Sequence, residues 1–566
     1  MSHHGQIQVL KHHGPHHGSQ PQIVRHSKRR REDLEAEPGP MIRQPETRPI
    51  SHKQLVAEVK GIYAGLVMVE SKCIDVDNSQ NAQNDTPPKL DNEQWQALIN
   101  LHRTLLHEHH DFFLASQHPS AAPTLRRLAS KYAMPARMWR HGIHSFLELL
   151  RHRLPQSLEH MLTFIYLAYS MMALLYETVP AFEDTWVECL GDLGRYRMAI
   201  EDDDIRDREV WCAVSRHWYT RASEKAPTTY ILTFLNSTIT ITNHRIRGRL
   251  YHHLAILARP NVLQQLFYYE KSLCVAIPFP SARDSILTLF DPILNGSSSR
   301  LSPIDILFVK IHAILFTDRD SDKFWSIATE FTDMLDNHIR STRRWLEPGS
   351  YIAITNCCSI LNYGSEDNVI IRAIRSPDST DITINDSNDK STEAFIKAKA
   401  FNLNVDIIIL ARYGDPNVLP YVHARLAFLV SLMENPAAKV HLDDPWDHWV
   451  LFLNSLLPGY TTFERMTSSE IPRPGKGEHR PLPEDWALRG LIYAEKLYPP
   501  DWFLTKQDDD EKHFEIPSMA DDRKERVLWL AYKLVSYNRY IAFDNEAHTF
   551  SCVDRDLKSM SPQTIC

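Results

Sequence analysis

The chain has 566 residues, 43% hydrophobic and 24% charged, with a formal net charge of −8. That length leaves room for roughly two or three domains, and the charge balance excludes an overall polycation built to coat nucleic acid, so any such contact needs a local basic face. Eight cysteines without a CxxC spacing point to free thiols in a reducing compartment rather than to a disulfide framework.

Residues 1–50 read as a disordered tail. His3, His4, His12, His13, His16 and His17 lie among glycines and prolines with nothing to pack, and their spacing repeats no ligand pattern, so no metal is expected. The tail lacks the apolar core of a signal peptide. Lys28, Arg29, Arg30 and Arg31 form a compact basic run, read either as a nuclear import signal or as a solvated tail.

From Ser51 the pattern turns helical. Leu55, Val59, Ile62, Leu66 and Val69 recur at three- and four-residue steps, and a polar loop from Asn78 to Pro88 ends that helix. Asp91 is placed to cap the next one, with Trp95, Leu98, Leu101, Leu105 and Leu106 on its buried face. Leu125–Tyr132, Met138–Leu150 and Gln156–Glu177 follow, punctuated by Pro123, Pro135, Pro155 and Pro180. Leu162–Tyr176 is the most membrane-like run, but it falls short of the ~20 residues a span needs. It also carries Thr163, Ser170 and three tyrosines, so a helix inside a bundle is expected and no membrane partner. A helix over Phe182–Ala199, an acidic loop over Glu201–Asp207 and a helix over Val210–Glu224 come next. Acids in a row on such a loop seldom converge on one ion, and no Ca²⁺-loop spacing is present.

Tyr230–Arg247 is rich in β-branched residues and alternates like a strand, in an otherwise helical chain. Residues 230–247 are either an atypical insertion, such as a translated short intron, or a surface hairpin. After Pro292 a polar linker opens a second helical region with helices over Pro303–Phe316, Asp320–Ile339, Tyr351–Leu361 and Glu393–Ala411. Residues 376–391 should be a mobile loop. Further helices are predicted over Pro420–Met433, Trp446–Leu457 and Asp522–Asn538, with a Pro/Gly-rich loop over Ser468–Arg480.

The stretch Gly248–Pro280 has the order of a helical-hairpin repeat. Tyr251, Leu254 and Ala255 stand where a tetratricopeptide repeat places Trp, Leu and a small residue, with Phe267, Cys274 and Pro278 following at packing and closing positions. Together with Cys189–Arg197 (CLGDLGRYR), this order resembles the ever-shorter-telomeres and SMG proteins of telomere maintenance and nonsense-mediated mRNA decay. The likeness extends more loosely from about residue 51 to 551, and it is that of a member without a nuclease domain. It implies an all-α fold: a 14-3-3-like, tetratricopeptide-like array over 51–292, then a second helical-hairpin domain over 300–551 and a tail at 552–566.

In that family an Arg-Tyr pair on a groove-lining helix helps to bind phosphoserine, which places Arg195 and Tyr196 in that role. The chemistry suits the side chains, since a guanidinium fork gives two charge-assisted bonds to phosphate and a phenol adds a donor. A second cation is needed to offset a charge near −2. Where the family has Lys, this chain has Asn100, so Arg103, about one turn on, is the substitute. The alternative is that Arg195 pairs with Asp192 or Glu188 on its own helix. Arg126, Arg127, Arg137, Arg140, Arg151 and Arg153, with His102, His107, His109 and His110, make a basic band suited to a phosphorylated partner or RNA, or merely solvated.

No GxSxG, P-loop, GxGxxG or HExxH occurs, so a non-enzyme without cofactor is expected. The resemblance implies an adaptor in nonsense-mediated mRNA decay that binds a phosphorylated segment of the pathway's RNA helicase. Its alternatives are a telomerase-associated subunit touching telomeric DNA or telomerase RNA, and a generic helical scaffold. It also allows pairing with a homologous protein and residence in both nucleus and cytoplasm.

Overall fold

A computed structural model describes residues 50–81, 90–201, 204–225, 248–296, 301–342, 345–375, 389–434, 444–473, 479–504 and 515–553. The basic run Lys28–Arg31, the stretch 230–247, residues 376–388 of the expected loop 376–391 and residues 554–566 of the expected tail 552–566 lie outside them, whereas residues 389–391 open a helix and Cys552 ends a strand. Among the described residues the architecture is almost wholly helical, as the family resemblance implies.

The first hairpin joins α1 (His52–Asn81) to α2 (Asn92–Ser116). Asp91 caps α2: its carboxylate accepts from the Gln94 backbone N–H, and the Gln94 side chain accepts in return from Asp91 N–H. Two of the helix's orphan donors are thereby satisfied. The expected helix over Leu125–Tyr132 is instead two single turns, Pro123–Arg126 and Leu128–Lys131. The next expected helix enters through a π-helical turn, Met138–His144, before α3 (Ser145–Arg151). That turn sets Gly142 against Leu106, and its carbonyl meets His102 Nδ1 at 3.1 Å.

α4 (Leu158–Thr178) is long and apolar enough by length and composition to cross a membrane. Here it packs on α2 and on α5 (Glu183–Ala199), with Phe164, Ile165, Met172 and Leu175 buried. α5 then pairs closely with α6 (Ile205–Lys225).

A helix over 248–257, named α7, and α8 (Val262–Cys274) form the repeat-like hairpin. Ala255, Phe267 and Cys274 are buried where the repeat pattern places packing residues. α8 stops at Cys274 and the chain turns extended at Val275, which forms an antiparallel bridge to Leu491. α9 (Leu287–Leu294), α10 (Pro303–Thr317) and α11 (Phe324–Ser341) follow, the last beginning later than expected because Asp320 takes a left-handed backbone and a 3₁₀ turn intervenes. Among the described residues, α12 (Leu346–Ile360), α13 (Val369–Arg375), α14 (Asp389–Leu410), α15 (Leu419–Glu434), α16 (Trp446–Leu456), α17 (Pro483–Leu488) and α18 (Met519–Val535) complete the helices longer than a single turn.

One short antiparallel pair departs from the helical expectation: β1 (Ile541–Asp544) against β2 (Thr549–Cys552), with Phe543 opposite Phe550. Alternating apolar residues flank a turn in which Asp544 accepts from the Glu546 and Ala547 backbone, and that local geometry favours a hairpin.

One hydrophobic cluster extends from Ala255 to Phe550, and Phe290 and Ile293 share it with Ile304 and Phe308 across the linker near residue 300. Its largest fully buried members include Trp345, Trp449, Trp502 and Trp529. Each fully buried large apolar side chain stabilises by roughly 1.5–3 kcal/mol, which makes this cluster the main source of cohesion. A smaller cluster of Val187, Tyr219, Leu250 and Leu254 joins α5 and α6 to α7.

Candidate functional site

The Leu-Gly-Asp-Leu-Gly run of α5 is explained by its neighbour. A Cβ at Gly191 would lie 2.8 Å from the Tyr219 ring, so only glycine lets α6 approach this closely. That approach brings the Tyr219 hydroxyl to Asp192, where it donates to Oδ1 at 2.5 Å. Ser215 donates to the Gly191 carbonyl at 2.7 Å beside it.

Asp192 is buried and gathers basic side chains. Arg195 Nη2 lies 3.1 Å from its Oδ1, Arg249 Nη2 3.6 Å from its Oδ2, and His253 Nε2 4.0 Å away. Arg249 also reaches Glu188 at 3.1 Å. Burial pushes the Asp192 carboxyl up, but Arg195, the Tyr219 hydroxyl and Arg249 outweigh it and leave it below its usual value. Glu188 goes the other way: burial and the Asp192 charge lift it to about 7 against the pull of Arg249. Burial, with Arg195 and Arg249 adding, pulls His253 down to about 3, so it stacks on Tyr219 as a neutral ring.

Arg195 therefore does what the local alternative required and pairs with Asp192, three residues back on its own helix. Burial works against its charge, yet Tyr219 and Asp192 hold its pKa above the ordinary value. The side chain still keeps 30% of its surface open, and that of Arg249 keeps 43%. Tyr196 donates its hydroxyl to Glu148 Oε1 at 2.7 Å, and burial and that carboxylate together raise its pKa.

Asn100 and Arg103 both lie exposed on α2. Among the described residues no hydrogen bond or ion pair joins either to Arg195 or Tyr196. The π turn and α3 face both sides instead: Phe146 stacks on His102 at 4.4 Å, while His144 and Glu148 meet Tyr196. Several members of the basic band are also engaged internally. Arg137 is bonded to Glu70, Arg151 to Glu148 at 2.6 Å, and Arg153 to Gln80 at 2.8 Å, while His109 is buried with burial drawing it down to about 3. In the acidic loop, Glu201 pairs with Arg197 at 2.6 Å and Asp204 accepts from the Arg206 backbone.

Arg249 was not singled out by the sequence, although its signal is plain in retrospect. It stands one helical turn before His253 on α7, so both reach the same carboxylate.

A second feature lies where α7, α8, α12 and α17 converge. They enclose a cavity of about 270 Å³ lined by Tyr251, Phe267, Tyr268, Tyr351 and Trp486. Lys271, only 2% exposed, borders it. Its ammonium donates to the Ala487 carbonyl at 2.7 Å and the Trp486 carbonyl at 3.2 Å, and lies 4.3 Å from the Tyr251 ring centre. Burial, with Arg489 adding, pushes Lys271 well below its usual pKa. Among the described residues no carboxylate pairs with it.

Three carboxylates line the same cavity but are engaged by other groups. Glu484 is bonded to Arg523 at 2.5 Å and to His423 at 3.1 Å, Glu515 to Arg523 at 2.9 Å, and Glu347 accepts from the Tyr351 hydroxyl at 2.6 Å. Arg489 also borders the cavity, its guanidinium 5.0 Å from the Trp486 ring and 4.5 Å from that of Phe503. Sequence reasoning passed over Lys271. Its signal is a charge in the packing row of α8, four residues after Phe267 and three before Cys274.

Residues 247–496 match the family model described as the Est1 DNA/RNA binding domain. Among solved structures, one described as the crystal structure of Est1 and Cdc13 aligns with a TM-score of 0.46 and 11% identity, over 86% of this chain and 99% of that chain. No curated protein matches the chain. Gly248–Pro280 lies inside the matched stretch and Cys189–Arg197 precedes it, while the cavity is lined by both ends of the match, from Tyr251 to Arg489. The stretch 247–496 is thus similar to the Est1 DNA/RNA binding domain, in keeping with the resemblance read from Gly248–Pro280.

Proposed function

We propose that this chain is a non-enzymatic adaptor whose domain over 247–496 engages single-stranded DNA or RNA in a telomerase-associated assembly. The observation that carries the reading is the match of that stretch to a DNA/RNA binding domain. The aromatic cavity with Lys271 and Arg489, inside the matched stretch, is consistent with it. Fluorescence anisotropy of the full chain with telomeric-repeat single strands tests it directly. Binding that weakens steeply with added salt is expected, since phosphate contacts release counterions. No binding at low salt would sink the reading, and co-purification of telomerase RNA would tie it to the assembly.

A second reading rests on a different observation: Arg195, beside Tyr196, and Arg249 keep open surface while anchored on Asp192. In it the chain is a nonsense-mediated decay adaptor, with Arg195 and Tyr196 holding a phosphoserine of the pathway's RNA helicase and Arg103, beside Asn100, lending further charge. Calorimetric titration with a phosphoserine-glutamine peptide decides it. Loss of binding in Arg195→Glu supports it, and unchanged binding removes it. Under either reading, Lys28–Arg31 would place the chain in the nucleus as well as the cytoplasm.

A further inference from the structure

The geometry points to the cavity at Lys271 as a seat for one unstacked nucleotide of a single strand, its phosphate toward Lys271 and Arg489 and its base against the aromatic wall. The inference rests on the nucleic-acid reading above and narrows it to a particular place.

Three observations carry it. The first is charge. Lys271 is buried beside the like-charged Arg489, with carbonyls, rings and the Cys358 thiol as its other neighbours. A buried ammonium without a counter-charge is costly, and a phosphodiester would supply that charge. The acids around the cavity do not fill this role: Glu484 and Glu515 are bound by Arg523, and Glu347 accepts from the Tyr351 hydroxyl and, among the described residues, forms no ion pair with Lys271.

The second is the wall. Phe267 and Tyr351 stack with centres 4.4 Å apart, Tyr268 sits half-buried next to Phe267 at 4.9 Å, and Trp486 of α17 joins them in the lining. Every base has a π-face, so such a wall accepts bases with little regard to sequence. A phosphoserine carries no ring to use it. The third is size: about 270 Å³ gives room for a single base and sugar, and the seat is too small for a duplex. Glu347, on the same lining, offers an acceptor for an exocyclic amine.

The test uses the full chain with fluorescein-labelled oligo-dT and oligo-rU. Tyr268→Ala is expected to weaken binding about tenfold and Tyr268→Phe to leave it within about twofold, as stacking requires. Lys271→Met should also lower affinity about tenfold and reduce the salt slope by about one phosphate. Matching thermal melts establish that the variants fold; if Lys271→Met fails to fold, the Tyr268 pair decides alone.

If wild type binds and Tyr268→Ala binds equally well, the strand lies elsewhere: the cavity assignment is overturned while the nucleic-acid reading stands. If wild type binds no strand, the reading itself fails and takes this inference with it. Adenosine monophosphate as a competitor separates a strand from a free nucleotide. Equal affinity for monomer and strand would reassign the cavity to a small molecule and overturn the proposal. Loss of phosphoserine-glutamine peptide binding in Tyr268→Ala, without strand binding in wild type, would give the cavity to a peptide instead.

Discussion

At Asp192 three basic side chains, Arg195, Arg249 and His253, gather around one buried carboxylate. At Lys271 a single ammonium lies among rings and peptide carbonyls, with the like-charged Arg489 acting on it. Both arrangements sit on neighbouring helical hairpins, and both bury positive charge. The first is supplied with counter-charge, because Asp192 and Glu188 come from the same helix as Arg195. The second is not, and a buried cation left in that state favours either loss of its proton or arrival of an anion. A charged side chain near a groove is therefore weak evidence for a ligand until its own partners are counted.

The comparison can be broken or sharpened by experiment. The largest effect is expected at Asp192, whose removal strands the cations it holds. Breaking a fully buried pair costs about 3–5 kcal/mol, and here about 2–3 kcal/mol is expected because Arg195 and Arg249 reach solvent. Urea denaturation of Asp192→Ala measures it, and a loss under about 1 kcal/mol would mean the carboxylate is not the hub described.

Next comes acid. The folded-state pKa of His253 is depressed to about 3, so its contribution is present above the unfolded value near 6.5 and is lost as pH falls below it. Between pH 7 and pH 5 that share amounts to about 2 kcal/mol. Stability curves of His253→Gln should lack it, and parallel curves for variant and wild type would contradict the assignment.

Lys271→Met should change stability at neutral pH by no more than about 1 kcal/mol, since a penalised charge leaves while two carbonyls lose a donor. Its pH dependence has the same sign as that of His253 but falls in a higher pH window. A lysine depressed in the folded state gains stability as pH rises toward its unfolded value near 10.4, and the methionine variant should show no such gain. A loss as large as that of Asp192→Ala would erase the contrast.

The smallest effect is expected for Tyr196→Phe, which removes the hydroxyl bond to Glu148 while Arg151 still holds that carboxylate. About 0.5–1 kcal/mol is expected by thermal melting.

Much of the scaffold was legible because its signals are local. Asp91 caps α2 through residues within one turn of it, the prolines at 123, 135 and 180 mark helix starts, and the spacing from Trp95 to Leu106 lies on one helix face. Arg195 and Asp192 are likewise one turn apart, so their pairing could be weighed in advance. The other contacts are not local. Arg249 meets Glu188 only because α7 lies against α5. Lys271 meets Trp486 and Ala487 across more than two hundred residues, which no periodicity encodes. The hairpin at 541–552 was hidden by its brevity, and the π turn at Met138–His144 has the same apolar spacing as an ordinary helix.

The bridge between Val275 and Leu491 has a wider consequence. The Ile492 N–H donates to the Cys274 carbonyl at 3.0 Å, Lys271 and Tyr251 donate to carbonyls of residues 486, 487 and 489, and Gly364 rests against the Leu273 carbonyl, where a Cβ would collide at 2.2 Å. Main-chain carbonyls accept each of these bonds, and neither Tyr268 nor Tyr351 is among the donors. Walls anchored that way can be repainted without being moved. Changes at Tyr268 or Tyr351 would retune what the socket accepts while its outline persists, which makes this seam a natural starting point for engineering altered ligand preference.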